Sequence, residues 1–429
     1  MAATAVAQYL RRVAGVGCES HLPPHLDCAV IGGTVARVES ALLGGSQYTR
    51  INWHYNCHLF MHASNAGEAF QVSRRLKFSL VIAAVIVAAG ISIKSFQPQI
   101  GVALFERGVQ SRVGRDATAG LADGLHVDLC GTGSPLPNRE RAGACNVVIA
   151  GKHIFTVDAG EGGARNISLM GLPTGRIEAL FLTHFHSDHI DGMGPMMLLR
   201  WTGSGNTAPL PVYGPTGVEA VIAGFNAAYA IDNGYRTAHH GAAIAPPAAA
   251  GATAKPFPFP EISAVVYQAD GVRITTFPVN HDPVKPAVGY RFDYKGRSVV
   301  FSGDTAASPS LDAAAKGTDL MVHEALQTDL VKLITAGLDA KGIKKTAQIT
   351  RDIVGYHSTP EVAADAARKA GVQELVLSHI VPPIPGRFFY PAFLGDAAKH
   401  FSGPIVVGED GMLFSLPAGG KSITQTSLF

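Results

Sequence analysis

The sequence predicts an α/β layered sandwich, with helices packed outside the β-sheets. Three observations predict it. From about Leu125 onward, short apolar β-type runs alternate with helical stretches, the pattern of strands covered by crossover helices. Forty-eight glycines and 26 prolines favour many tight turns over a helical bundle. A hydrophobic fraction of 47% against 16% charged residues supplies a sizeable core in a chain of 429 residues, enough for one large domain or two medium ones.

Residues 1–71, with patches such as NWHYNCHLFMHASN, show no sustained helical or alternating period. They read as a disordered extension or as the product of an upstream start, with Val72 as the alternative initiator. Residues 78–93, FSLVIAAVIVAAGISI, form one apolar run preceded by Arg74, Arg75 and Lys77. The run falls short of the roughly 20 residues of an ordinary membrane span. It has the basic flank and apolar stretch of an export signal or signal anchor. No small-x-small cleavage site follows, so the expectation is an uncleaved anchor over 72–94, then a linker over 95–123. A cleaved signal and a buried core helix are the alternatives. Basic residues stay on the cytoplasmic side, which sends everything beyond Lys94 outward. The expected localisation is therefore an inner-membrane anchored or exported protein with a periplasmic or otherwise extracytoplasmic catalytic domain.

Beyond Gly124, HVDLCGTG, NVVIAG, HIFTVDAG, IEALFLTH, PLPVYG, VRITTFPV, AVGYRFDY, RSVVFSGD, DLMVHEA and ELVLSH read as strands closed by a turn or a polar residue. GVEAVIAGFNAAYA and TPEVAADAARKAG read as helices, the second capped by Ser358 or Thr359. Residues 238–261, AHHGAAIAPPAAAGATAKPFPFPE, read as a mobile loop near the site mouth. Residues 419–429 read as a tail. There is no internal repeat.

The net charge of +2 is too small for a nucleic-acid footprint by itself. Five cysteines without a Cys-x-x-Cys pair argue against a structural zinc ribbon. Cys130 and Cys145 flank a Gly/Pro-rich loop. They pair in an oxidising compartment or stand as two separate buried thiols, and the sequence leaves both open.

The chemistry concentrates in THFHSDHIDG, residues 183–192, directly after a predicted strand. His184 and His186 alternate on a semi-extended loop and face one ion together. Asp188 and His189 project toward a second position. His/Asp ligation without thiolate suits Zn²⁺, with Mn²⁺ or Fe²⁺ as alternatives. His281 in VNHDP, Asp304 in SGDT and His379 in LSH each follow an apolar run, as converging strand ends would. Asp191 is expected to turn the chain with Gly192 into the next helix.

The ordered set of DAG (158–160), HFHSDH (184–189), NHD (280–282), SGDT (302–305) and SH (378–379) resembles the metallo-β-lactamase superfamily over about Gly124–Leu416. GTGSP (131–135), HEA (323–325) and YHST (356–359) resemble its branch with ribonuclease Z and the zinc-type arylsulfatases. The resemblance implies a four-layer αββα sandwich forming a metallo-hydrolase domain over 124–418. It also implies two divalent ions: the first held by His184, His186 and His281, the second by Asp188, His189 and His379, with Asp304 bridging. In such sites the ions lie ~3.5–4 Å apart and share a water that attacks as hydroxide at phosphorus or sulfur. Asp188, His357 and Glu324 form the implied catalytic set, with His357 donating a proton to the leaving group and Glu324 orienting it. His323 and Asp158 are expected to support the site without ligating. GTGSP is expected on the substrate side. Arg139 and Arg141 could pair with an anion there, though solvated surface charge is the preferred reading. His239 and His240 are expected on a loop surface. Class B β-lactamases carry a cysteine where this chain has Asp304, which disfavours antibiotic hydrolysis.

Three functions remain. An exported hydrolase of small anionic esters, aryl sulfates or phosphodiesters, ranks first. A tRNA 3′-end endonuclease ranks second, because residues 211–260 hold only Arg236 and Lys255 as cations, a poor match to phosphate backbone. A non-catalytic metal-binding protein ranks last. The expected partners are a small anionic ester, a membrane through residues 78–93 and a second copy in a homodimer, with nucleic acid less favoured.

Overall fold

The computed structural model describes residues 28–31, 34–43, 46–54 and 73–429, the first three stretches as backbone alone. In that N-terminal unit, β1 (Cys28–Ile31), β2 (Thr34–Leu43) and β3 (Ser46–His54) pair as an antiparallel meander. Most of the remaining N-terminal expectation lies outside the described residues.

A helix spans Arg74–Arg112, and none of its residues is buried. The helix runs on to Arg112 with Pro98 inside it, so the stretch expected as a linker over 95–123 begins helical. Residues 95–112 hold three Gln, two Arg, one Leu, one Glu and one Ala, good helix formers beside the single proline. The remaining linker is docked against the catalytic unit. Ala117 N–H donates to Gly171 O at 2.9 Å, and Arg176 reaches Asp116 at 2.9 Å.

Two mixed sheets follow. The first contains β4 (Gly124–Gly131), β5 (Cys145–Ala150), β6 (His153–Val157), β7 (Ile177–Phe181), β8 (Leu210–Pro215) and β9 (Ala252–Phe257). The second contains β10 (Ala264–Ala269), β11 (Val272–Pro278), β12 (Val288–Tyr294), β13 (Arg297–Phe301), β14 (Leu320–Leu326), β15 (Glu374–Val381) and β16 (Ile405–Val407), in sequential order. β17 (Met412–Pro417) and β18 (Thr424–Ser427) return to the first sheet, giving the order β18-β17-β4-β5-β6-β7-β8-β9. Each sheet is antiparallel on one side and parallel on the other. β4, β6, β7, β11, β13, β14 and β15 therefore all end at one edge of the sandwich.

Period-two alternation sorts the apolar residues. Leu125, Val127 and Leu129 of β4, Phe155 and Val157 of β6, and Ala179 and Phe181 of β7 face Tyr290, Phe292 and Tyr294 of β12. The opposite faces, with Val147, Ile149, Ile154, Leu180 and Leu182, pack under helices Gly163–Leu169, Met193–Gly203 and Val218–His240. Ala363, Ala364, Ala366 and Ala367 of helix Pro360–Ala370 cover the outside of the second sheet. This is the expected αββα sandwich.

Thr359 caps that last helix, its Oγ1 accepting from Val362 N–H at 3.3 Å, and Gly371 closes it at φ 68°. Three local expectations need correction. The helix read over 217–230 runs from Val218 to His240, so His239 and His240 lie on its exposed last turn and not on a loop. The loop read over 238–261 contains β9, an edge strand, and edges tolerate Pro256. The tail read over 419–429 holds β18, paired antiparallel with β17.

Candidate metal centre

β6 ends at Val157, and Asp158 follows with φ 60°, a left-handed conformation uncommon for a residue with Cβ. Its carboxylate accepts from Thr183 N–H at 2.8 Å and from His189 Nδ1–H at 2.8 Å. Asp158 thus pins the histidine loop and turns His189 Nε2 inward, the supporting role expected of it. After β7, Ser187–Ile190 makes one helical turn that carries Asp188 and His189. Two glycines allow this loop to close. A Cβ on Gly160 would sit 2.3 Å from Asp188 O, and one on Gly192 would sit 2.2 Å from Gly160 O. Asp191 caps the turn at its C-terminus and helix Met193–Gly203 begins directly after Gly192, as expected.

The second sheet supplies the facing groups. His281 follows β11, and its Nδ1–H donates to Tyr356 O at 3.0 Å. Asp304 follows β13. His379 is the extra residue of a bulge in β15, with φ 46°, which aims its ring into the cleft instead of along the strand.

Asp304 Oδ2 is the common point. It lies 3.3 Å from His189 Nε2, 3.4 Å from His379 Nε2, 3.8 Å from His184 Nε2 and 4.0 Å from His281 Nε2. Asp188 Oδ2 lies 3.1 Å from His379 Nε2 and 3.5 Å from His189 Nε2. The donor atoms fall into a set of His184, His186, His281 and Asp304 and a set of Asp188, His189 and His379, each within 4.8 Å. The structure thus brings all seven of the expected residues together, with Asp304 grouped with His184, His186 and His281.

The chemistry fits divalent cations. Burial holds His184, His186 and His281 below the usual imidazole range, which favours the neutral ring that a metal ion requires. Asp304 is buried, which alone would raise its pKa, but the surrounding histidines hold the carboxyl well below the usual range. Buried His189 Nε2, His281 Nε2 and Asp304 Oδ1 have no hydrogen-bond partner. Such atoms are costly unless something polar completes them, and a cation does so.

His357 stands beside this cradle, 5.3 Å ring to ring from His281 and 5.5 Å from His379. Its Nδ1–H donates to Glu324 Oε1 at 3.1 Å. Glu324 Oε1 also accepts from Ser358 N–H at 2.9 Å and Thr305 N–H at 3.2 Å. Burial pulls the His357 imidazolium down, but the Glu324 carboxylate outweighs it and raises the group to about 9. Asp304, His357 and His379 also fall within 4.8 Å of one another. His323 is buried, with Nδ1–H donating to Glu324 O at 2.7 Å, so it supports the site from behind.

The substrate-side expectations fare differently. GTGSP does lie at the same edge, with Ile380 N–H donating to Thr132 O at 2.9 Å. Arg141 points inward and is neither a solvated charge nor a free anion ligand. It donates to Thr132 Oγ1 at 2.6 Å, to Gly408 O and to Tyr390 OH at 3.0 Å. Arg139 is exposed. Cys130 and Cys145 form a disulfide with Cα atoms 5.0 Å apart, at the root of this loop. Asp410 was missed. Its carboxylate takes Thr132 N–H at 2.9 Å and Ala142 N–H at 2.7 Å, and nothing local in sequence marks it.

A family model described as a beta-lactamase superfamily domain matches residues 155–380. A protein named Ribonuclease Z from Mycobacterium sp. (strain KMS) is 38% identical over 289 residues, 67% of this chain and 94% of its own. Another so named, from Mycobacterium bovis (strain BCG / Pasteur 1173P2), is 38% identical over 290 residues, 67% of this chain and 96% of its own. Among solved structures, the metallo-beta-lactamase fold protein YhfI from Bacillus subtilis aligns at a TM-score of 0.49 and 20% identity, covering 68% of this chain and 99% of its own.

Proposed function

We propose, for a chain that belongs to the metallo-β-lactamase superfamily and within it to the ribonuclease Z branch, a two-metal phosphodiester hydrolase acting on RNA. The observation that carries this reading is the Glu324–His357 pair set beside the ligand cradle. A ribose oxygen leaves as a strongly basic alkoxide and needs a proton as it departs, whereas an aryl sulfate or nitrophenyl ester releases a far weaker base. A buried histidine fixed by a carboxylate is the tool for the harder leaving group. The Ribonuclease Z names of relatives matched over 94–96% of their length support the same choice. The order of the first two functions is therefore reversed from the sequence reading, and sulfuric esters have no support.

The ligand assignment proposed is His184, His186 and His281 for one ion, Asp188, His189 and His379 for the other, and Asp304 for both. Zn²⁺ is the proposed metal, with Mn²⁺ or Fe²⁺ as alternatives. Bound there, the ions supply Lewis acidity and an activated water. The chain's own residues do the rest. Asp158 keeps His189 oriented, and the Tyr356 carbonyl keeps His281 oriented. As the water oxygen bonds to phosphorus and the ester P–O bond breaks, His357 Nε2 passes its proton to the leaving oxygen, and Glu324 holds the ring in place.

An extracytoplasmic location is proposed with it. The exposed apolar helix Arg74–Arg112 behind a basic flank supports it, as does a disulfide, which persists in oxidising compartments. A second reading, a hydrolase of small phosphodiesters, is favoured by the scarcity of cations on the helix Val218–His240, where Arg236 pairs with Asp232 at 2.7 Å.

The test is turnover by the detergent-solubilised full chain of precursor tRNA, bis-p-nitrophenyl phosphate and p-nitrophenyl sulfate. Cleavage of both phosphodiesters with the sulfate inert is expected. Cleavage of the nitrophenyl phosphodiester alone would favour the second reading, and sulfate hydrolysis alone would overturn both.

A further inference from the structure

The YHST motif leaves one side chain without a role. Tyr356 precedes the proposed proton donor, and its ring lies 5.0 Å from the ring of His281 at 82° and 5.0 Å from that of His357 at 46°. It therefore spans the gap between one group of metal ligands and the proton donor. Its carbonyl is tied to His281 Nδ1–H, which fixes the backbone beneath the ring. Ile353 and Val354, just before it, pack into an apolar cluster with Leu326 and Val381, but Tyr356 joins none of the hydrophobic clusters and stays partly exposed. Its backbone is thus fixed, while its side chain lies beside both rings, keeps exposed surface and is not consumed by the core.

We propose that the Tyr356 ring is the platform on which the leaving-side base of the substrate stacks, an inference that rests on the phosphodiesterase reading. The leaving oxygen must come within hydrogen-bond reach of His357, so the nucleoside attached to it passes the neighbouring ring. Tyrosine offers a flat π-face at low entropic cost, and stacking is tolerant of base identity. It also supplies substrate affinity where cations are scarce. The platform makes Tyr356 a specificity-determining residue, acting on KM through the leaving group and not on metal binding.

The experiment uses the full chain and a short RNA substrate carrying either a base or an abasic ribose on the leaving side of the cleaved bond. Tyr356→Phe keeps the ring and Tyr356→Ala removes it, and metal content is measured by mass spectrometry for each. For the base-bearing RNA, Y356A should raise KM about tenfold, within the range of one base–aromatic stack, while Y356F stays within about twofold. For the abasic RNA, wild type and Y356A should share the same KM. An equal penalty on both substrates, or loss of metal in Y356A with Y356F unable to separate ring from hydroxyl, overturns the platform. A wild type inert on both RNAs overturns the phosphodiesterase reading and this inference with it.

Discussion

Replacing Glu324 by glutamine removes one negative charge while keeping an oxygen for the Ser358 and Thr305 amides that Glu324 Oε1 now serves. The group that feels the loss is His357, 3.1 Å away. With the carboxylate present its imidazolium is raised to about 9, although burial alone would lower it. The gap between about 9 and the ordinary 6.5, at about 1.4 kcal/mol per pH unit, is about 3 kcal/mol of stabilisation for the protonated ring. Without the charge, burial leaves His357 at or below its ordinary value. At pH 8 the protonated fraction then falls about 30-fold. Bound cations lower the value in both proteins, so the comparison is made at equal metal loading. The assay is kcat/KM against pH for an oligoribonucleotide and for bis-p-nitrophenyl phosphate. E324Q should move the alkaline limb down by about two and a half pH units and slow the oligoribonucleotide about 30-fold at pH 8, with the nitrophenyl ester slowed less than about threefold. An alkaline limb that stays in place, or equal losses on both substrates, would refute the proton-donor argument.

Four further outcomes are expected. Asp158→Asn should weaken metal affinity about 10- to 100-fold, read by competitive chelator titration, because His189 loses the carboxylate that orients it. Cys145→Ser should cost about 3 kcal/mol, the loop-closure value for a separation of 15 residues, and lower the melting temperature by several degrees. In the metal-free protein the Glu324–His357 pair stabilises the fold fully below the ordinary histidine value of 6.5, and that contribution is lost as pH rises through about 9, which denaturant titrations at pH 6 and pH 9.5 will show. The full chain should sediment with membranes and resist alkaline carbonate extraction, whereas deletion of residues 1–97 should release it; release of the full chain by carbonate would remove the anchor.

The site was legible because its ligands lie at strand ends in short, dense motifs. His184, His186, Asp188 and His189 announce themselves within six residues, and the strands that carry His281, Asp304 and His379 are strongly apolar. What escaped were features with weak local patterns. β9 is an edge strand that carries Lys255 and Pro256 and exposes residues, so neither alternation nor hydrophobicity marks it. β18 exists only through its pairing with β17, a partner already in place. Arg141 looked like surface charge because its acceptors, Gly408 and Tyr390, stand far along the chain. The aryl-sulfate preference rested on the scarcity of cations over 211–260, a property of the periphery that says little about the leaving group.

The cradle draws His184, His186, Asp188 and His189 from the first sheet and His281, Asp304 and His379 from the second. Ions bound there would therefore rivet the two halves of the sandwich across their shared core. At a thousandfold excess over Kd such a rivet adds about 4 kcal/mol to the folded state. The coupling runs both ways. A cavity opened deep between the sheets, by Phe181→Ala for example, where that ring meets Phe292 at 5.8 Å, loosens the spacing of ligands it never touches. Retained metal becomes a gauge of how tightly the core is packed, and damage to the core will register first as a faster rate of metal loss.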